Sequence, residues 1–123
     1  MKGIRKKRAF TLTGIIGAAA VGLGAFGAHG LEDLLVGHGR VETWETAAFY
    51  HLVHSVVLLV LVSRKVWHPW LWILFALGIL VFSGSLYLLC LTQVGWLGAL
   101  TPIGGLCLIA GWIGLAVNPA RQP

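Results

Sequence analysis

Residues 70–91 read WLWILFALGILVFSGSLYLLCL, without one charged side chain. At 1.5 Å of rise per residue, a helix of that length crosses a hydrocarbon core about 30 Å thick. Three more apolar stretches accompany it, at 9–28, 44–63 and 97–117. None of the four holds Lys, Arg or Asp, and their single Glu, Glu45, stands at the very start of the second. In hydrocarbon, a lone segment satisfies its own backbone only as a helix. The prediction is therefore an all-α membrane protein. Four antiparallel transmembrane helices form a bundle over 9–117, flanked by tails at 1–8 and 118–123.

Composition agrees. Apolar residues make up 58% of the 123-residue chain and charged residues 11%, against about 25% charged in soluble domains. The net charge of +5 is concentrated, with Lys2, Arg5, Lys6, Lys7 and Arg8 in the first eight residues. A basic run beside an apolar helix suits an anionic membrane surface. Nucleic acid would need stacking aromatics among those cations, and none occurs before Phe10. The expected partner is thus the lipid bilayer, with a homo-oligomer or a larger membrane complex left open and no nucleic acid. Cys90 and Cys107 lie within apolar runs and form no C-x-x-C pair, so a thiol-disulfide relay lacks its parts.

Charge also orients the spans. The N-terminal tail, the Arg64-Lys65 turn and Arg121 carry cations on one side; Arg40 stands alone on the other, beside Glu32, Asp33, Glu42 and Glu45. The positive-inside rule then predicts both termini in the cytoplasm and a location in the cell inner (plasma) membrane. Trp44, Trp67, Trp70, Trp72 and Trp96 sit near predicted span ends, as interfacial indoles do. The rival reading of the first segment is a secretory signal cleaved near Ala25-Phe26-Gly27, against which the glycine-rich span is long enough to cross fully. In the loop 30–43, Leu31, Leu34 and Leu35 share one face of a short interfacial helix, with Glu32 and Asp33 opposite. Thr43 suits an N-cap for the second span. Pro102 leaves two readings of the fourth: a kinked helix from near 97, or an irregular stretch at 96–101.

Lipid tails are as apolar as leucine, so small residues must bring the helices together. Gly14, Ala18 and Gly22 form one row on the first span, and Ala20, Gly24 and Ala28 another; Gly104, Cys107, Gly111 and Gly114 form a seam on the fourth. On this reading Gly22→Leu loosens the bundle.

His29, Tyr50, His51, His54, Ser83, Ser85, Tyr87 and Thr101 form a candidate polar cluster in the outer half of the bundle. Tyr50, His51 and His54 would lie roughly 9, 10.5 and 15 Å inside the second span, within one 100° stripe. Such groups are functional candidates by default. A metal or haem could draw on His29 with His54 or His51, although no metal-binding spacing strengthens this. A proton or small-solute path could use Tyr50 and His54, and a quinone or lipid headgroup could bond to the same groups. The bland alternative is mutual satisfaction as interhelical hydrogen bonds. Neither a Ser-His-Asp arrangement nor a G-x-S-x-G turn is present. Small multidrug exporters have four spans in a similar length, but their first helix carries a glutamate that this one lacks.

Four motifs in order carry a family resemblance. They are Gly24-Ala25-Phe26-Gly27-Ala28-His29; Trp44-x-Thr46-Ala47 with Tyr50 and His54; Phe82-Ser83-Gly84-Ser85-Leu86-Tyr87; and Gly98-x-x-Thr101-Pro102-Ile103-Gly104-Gly105 followed by Gly111-Trp112. Over nearly the whole chain it resembles the small membrane proteins of domain-of-unknown-function family 423. The resemblance implies a four-span inner-membrane protein and supplies no agreed activity. Many members resemble Tyr-Gln where this chain has Tyr50-His51, which leaves His29 and His54 as the stronger shared candidates. The expectation is a non-enzymatic structural or accessory membrane protein with no cofactor. Proton or solute carriage, and a haem-, metal- or quinone-binding role, are the alternatives.

Overall fold

The computed structural model describes residues 4–118; residues 1–3 and 119–123, Lys2 and Arg121 among them, lie outside that range. The elements are α1 (Lys6–Ala28), α2 (Glu32–His38), α3 (Val41–Ser63), α4 (Pro69–Thr92), a 3-10 turn (Gly95–Ala99) and α5 (Thr101–Val117). No strand occurs among the described residues. Four helical segments are long and apolar enough to cross a membrane, the fourth being the turn and α5 together. α2 is the short helix expected between the first two spans.

Local chemistry sets the boundaries. Pro69 and Pro102 occupy first-turn positions, where a missing N–H breaks no helical bond. The irregular stretch before Pro102 is therefore the reading of the fourth span that the fold adopts. α2 ends on Gly39 at φ 66°, a left-handed position that glycine takes without a Cβ clash. α3 begins at Val41, ahead of Thr43, with no side-chain cap. Thr43 is thus inside the first turn instead of capping it.

α3 and α4 form the central antiparallel pair; α1 packs on α3, α5 packs on α4, and α1 and α5 make no extended contact. Two side-chain bonds join spans that are not packed neighbours: Trp72 Nε1 of α4 donates to Thr13 Oγ1 of α1, and Trp112 Nε1 of α5 to His54 Nε2 of α3. At the end where the chain starts, Lys6 Nζ donates to the Arg64 carbonyl at 2.7 Å and Trp67 Nε1 to that of Ile4. Arg64 Nη2 donates to the Asn118 carbonyl, so residues 4, 64 and 118 share this end. The opposite end is clasped by Gln93, itself left-handed at φ 58°. Its side chain accepts from Arg40 Nε and donates to the His38 carbonyl.

Close backbone approach belongs to the α4–α5 seam. A Cβ on Gly104 would fall on the backbone nitrogen of Phe82, and on Gly111 it would meet the Phe75 ring at 2.9 Å. Gly114 faces Leu71 and Trp70 in the same way. The first span differs from expectation. Gly14, Ala18 and Gly22 are exposed, and nothing lies within 4 Å of a Cβ on either glycine. α1 instead buries Ala9, Thr13, Ala20 and Gly27, because Trp44 must lie across Gly27 to reach the Leu23 carbonyl. Trp44 and Trp72 also depart from the interfacial reading: both are at most 4% exposed and tie helices together.

These placements reverse one expectation from the sequence. Gly104→Leu should lower stability in detergent by about 1–3 kcal/mol or more, since the obstacle is backbone. Gly22→Leu should stay within about 0.5 kcal/mol of wild type. Thermal unfolding of the two variants in one detergent checks both.

Candidate functional site

The predicted polar residues separate into three networks and two outliers. His51 of α3 lies where α1 and α4 converge, 6% exposed. Its Nε2 is 2.9 Å from the Ile16 carbonyl of α1, and its Nδ1 is 2.9 Å from the Tyr87 hydroxyl of α4. A carbonyl only accepts, so Nε2 carries the proton and Nδ1 accepts from Tyr87. Ile16 thereby sets the polarity of the whole chain of bonds. Around it, Ser55 donates to the His51 carbonyl and Ser83 of α4 to the Ala47 carbonyl of α3.

His54 lies about 60° round α3 from His51. Its Nδ1 is 2.8 Å from the Tyr50 carbonyl, so Nδ1 is the protonated nitrogen, and Nε2 accepts from Trp112 at 3.1 Å. The ring is boxed by Tyr50, stacked at 5.9 Å, and by Phe75 and Trp112, both at 6.0 Å. The third network joins α4 to the start of α5: Ser85 donates to the Phe82 carbonyl at 2.9 Å and lies 2.7 Å from Thr101 Oγ1. With the Ser85 proton so placed, Thr101 is the donor between the two hydroxyls.

His29 stands exposed at the C-cap of α1 and joins none of these bonds. Tyr50 is 39% exposed, its ring against Phe82 and His54, and its hydroxyl joins none of them either. The stripe containing Tyr50, His51 and His54 is therefore divided among different neighbours. The histidine networks share no side-chain atom. No group of three or more His, Cys, Asp or Glu side chains suited to a metal ion occurs among the described residues.

Sequence reasoning missed the partners Thr13, Ile16 and Trp112. A backbone carbonyl leaves no signal, but Trp112 does: an indole within an apolar span has to donate to something. The clasp residues His38 and Gln93 were missed as well; His38 Nδ1 donates to the Cys90 carbonyl at 2.8 Å. Between α1 and α4 runs an apolar groove of about 510 Å³, floored by His51, Ser83 and Tyr87.

The family described as "Protein of unknown function (DUF423)" matches residues 23–105, a stretch containing all eight predicted polar residues. A UPF0382 membrane protein of Staphylococcus epidermidis (strain ATCC 12228 / FDA PCI 1200) is 48% identical over 118 residues, 89% of this chain and 93% of the relative. The UPF0382 membrane protein YwdK of Bacillus subtilis (strain 168) is 42% identical over 122 residues, 93% of this chain and 98% of the relative. No solved structure matches.

The His51–Tyr87 bond should be measurable as a coupling. In a double-mutant cycle of His51→Phe and Tyr87→Phe, the interaction term should be about 0.6 kcal/mol and no more than about 1.7 kcal/mol, the average and maximum for interhelical bonds in a membrane protein. Unfolding of the four proteins in detergent reads it directly.

Proposed function

The chain belongs to the DUF423 family of membrane proteins, and on that premise we propose that it is a non-enzymatic structural or accessory component of the cell inner (plasma) membrane. One observation carries the reading. Both ring nitrogens of both membrane-buried histidines are engaged within the chain, and in each the neutral tautomer is set by a backbone carbonyl. Either histidine would have to give up a hydrogen bond to ligate a metal or haem, or to relay a proton. Ser55, Ser83 and Ser85 likewise donate to backbone carbonyls. The bonds that pass between helices, those of His51 to Ile16 and Tyr87, of Ser83 to Ala47 and of Trp112 to His54, hold the helices in register.

Charge supports an orientation with both termini cytoplasmic. Arg5, Lys6, Lys7, Arg8, Arg64 and Lys65 cluster at the end shared by residues 4 and 118, whereas Arg40 is the one cation among the acids at the α2 end. Helical spans also fit an inner membrane, since bacterial outer membranes are crossed by closed β-barrels.

Two measurements test this. Vesicles carrying the full chain should pass protons across an imposed gradient no faster than empty ones. A flux abolished by His51→Phe or His54→Phe would replace the structural reading with proton carriage, and a haem spectrum or stoichiometric metal would replace it with a redox role. For orientation, Asp33→Cys should react with a membrane-impermeant maleimide in intact cells, and Lys65→Cys only after the membrane is opened. Cys90 is buried and Cys107 half-buried within spans, so neither should compete. The reverse labelling would invert the topology.

A further inference from the structure

Six described cations, Arg5, Lys6, Lys7, Arg8, Arg64 and Lys65, gather at one end of the bundle. All four acidic side chains of the protein, Glu32, Asp33, Glu42 and Glu45, lie in α2 and the opening turns of α3. The 23 residues of α3 separate the two ends by about 33 Å, several times the screening length of about 8 Å at physiological salt. No carboxylate side chain of the protein can therefore neutralise the basic end. The first turn of α1 also places Lys6, Lys7 and Arg8 at the positive pole of the helix, with no acid there and no side-chain cap. An anion from outside would relieve both conditions.

The surface at this end has a place for one. A hollow of about 680 Å³ opens between the first turns of α1 and the last turn of α3, lined by Lys6, Lys7, Phe10, Thr11, Val62 and Ser63. Lys6 is held over it by its bond to the Arg64 carbonyl, which uses one of its three N–H donors. The Lys7 ammonium and the Ser63 hydroxyl bond to no protein atom among the described residues, so both can donate. Below these donors Phe10, 52% exposed, continues the wall into the apolar surface of the span. Cationic donors above an apolar wall match a phosphate that carries a hydrocarbon tail. They match a free anion less well, since it would leave the lower wall unused.

We propose that this hollow binds the phosphate of an anionic phospholipid from the leaflet that the basic end enters, with Lys6, Lys7 and Ser63 as donors. The site stands apart from the role proposed above and holds whichever compartment that end faces. The lipid becomes a counter-ion for the α1–α3 junction.

The test is native mass spectrometry of the full chain in mild detergent, with phosphatidylglycerol and phosphatidylcholine of identical acyl chains added in equal amounts. One phosphatidylglycerol should be retained in preference to phosphatidylcholine. Lys7→Gln should lower that retention about fivefold, the effect of removing one cation from contact with an anionic headgroup. Lys7 anchors no neighbour through its side chain, so thermal unfolding should match wild type. Lys65→Gln removes the same charge outside the hollow and should change retention less than twofold. Equal losses in the two variants would overturn the site in favour of diffuse attraction. Equal retention of the two lipids would overturn it as well, and displacement by millimolar inorganic phosphate would reassign the hollow to a free anion.

Discussion

Hydrocarbon offers no partner to a polar group, so a donor or acceptor buried within the spans has to be matched by another part of the chain. That requirement distributes the hydrogen bonds over the helix contacts. Trp44 and His51 tie α3 to carbonyls of α1, Trp72 ties α4 to Thr13, Tyr87 and Ser83 tie α4 to α3, Trp112 ties α5 to α3, and Ser85 meets Thr101 where α5 begins. At about 0.6 kcal/mol on average, such bonds are too weak to hold a bundle by strength. Their force is selective. A helix rotated or slid by one residue would leave an indole or imidazole unpaired in lipid, and the unpaired group is the costly one.

Packing supplies the remaining attraction, unevenly. The α4–α5 seam brings Gly104 onto the Phe82 backbone, while the Gly14-Ala18-Gly22 row of α1 faces away from the bundle. The spacing of small residues reports that a face can be approached closely. It carries no information about which helix approaches, or whether any does. On α1 the choice was made by Trp44 and Trp72, whose N–H groups could be satisfied only by placing Gly27 and Thr13 on the inner side.

The spans were legible because length and apolarity suffice to identify them, and both are properties of the sequence alone. Which face of each span turns inward was not, since a helix in lipid is apolar all round and the contrast that orients a soluble helix is missing. The histidines illustrate the consequence. Their three-residue spacing placed His51 and His54 within one stripe, correctly as angle, yet 60° on α3 is enough for one ring to meet α1 and α4 and the other to meet α5. Tyr50 on the same stripe reaches the exposed surface. Depth could be counted along the chain, whereas partners depended on tertiary placement. Three of the acceptors for these two rings and for Trp44, those of Ile16, Tyr50 and Leu23, are backbone carbonyls with no signature in residue type.

The two ends of the bundle solve the problem of orphaned helix-terminal carbonyls in different ways. At the α2 end one amide serves two neighbours: Gln93 adopts a left-handed backbone, a conformation costing about 1–3 kcal/mol for a residue other than glycine, and its side chain accepts from Arg40 and donates to the His38 carbonyl. At the basic end the acceptors, the carbonyls of Arg64 and Asn118, are met by the charged side chains of Lys6 and Arg64. Cations at helix C-termini are favourable in themselves. The α1 terminus gains nothing from the same charges, because there they face the positive pole of their own helix. The arrangement that closes α3 and α5 therefore leaves α1 in need of an anion, and at a membrane surface the nearest anions are the phosphates of the lipid.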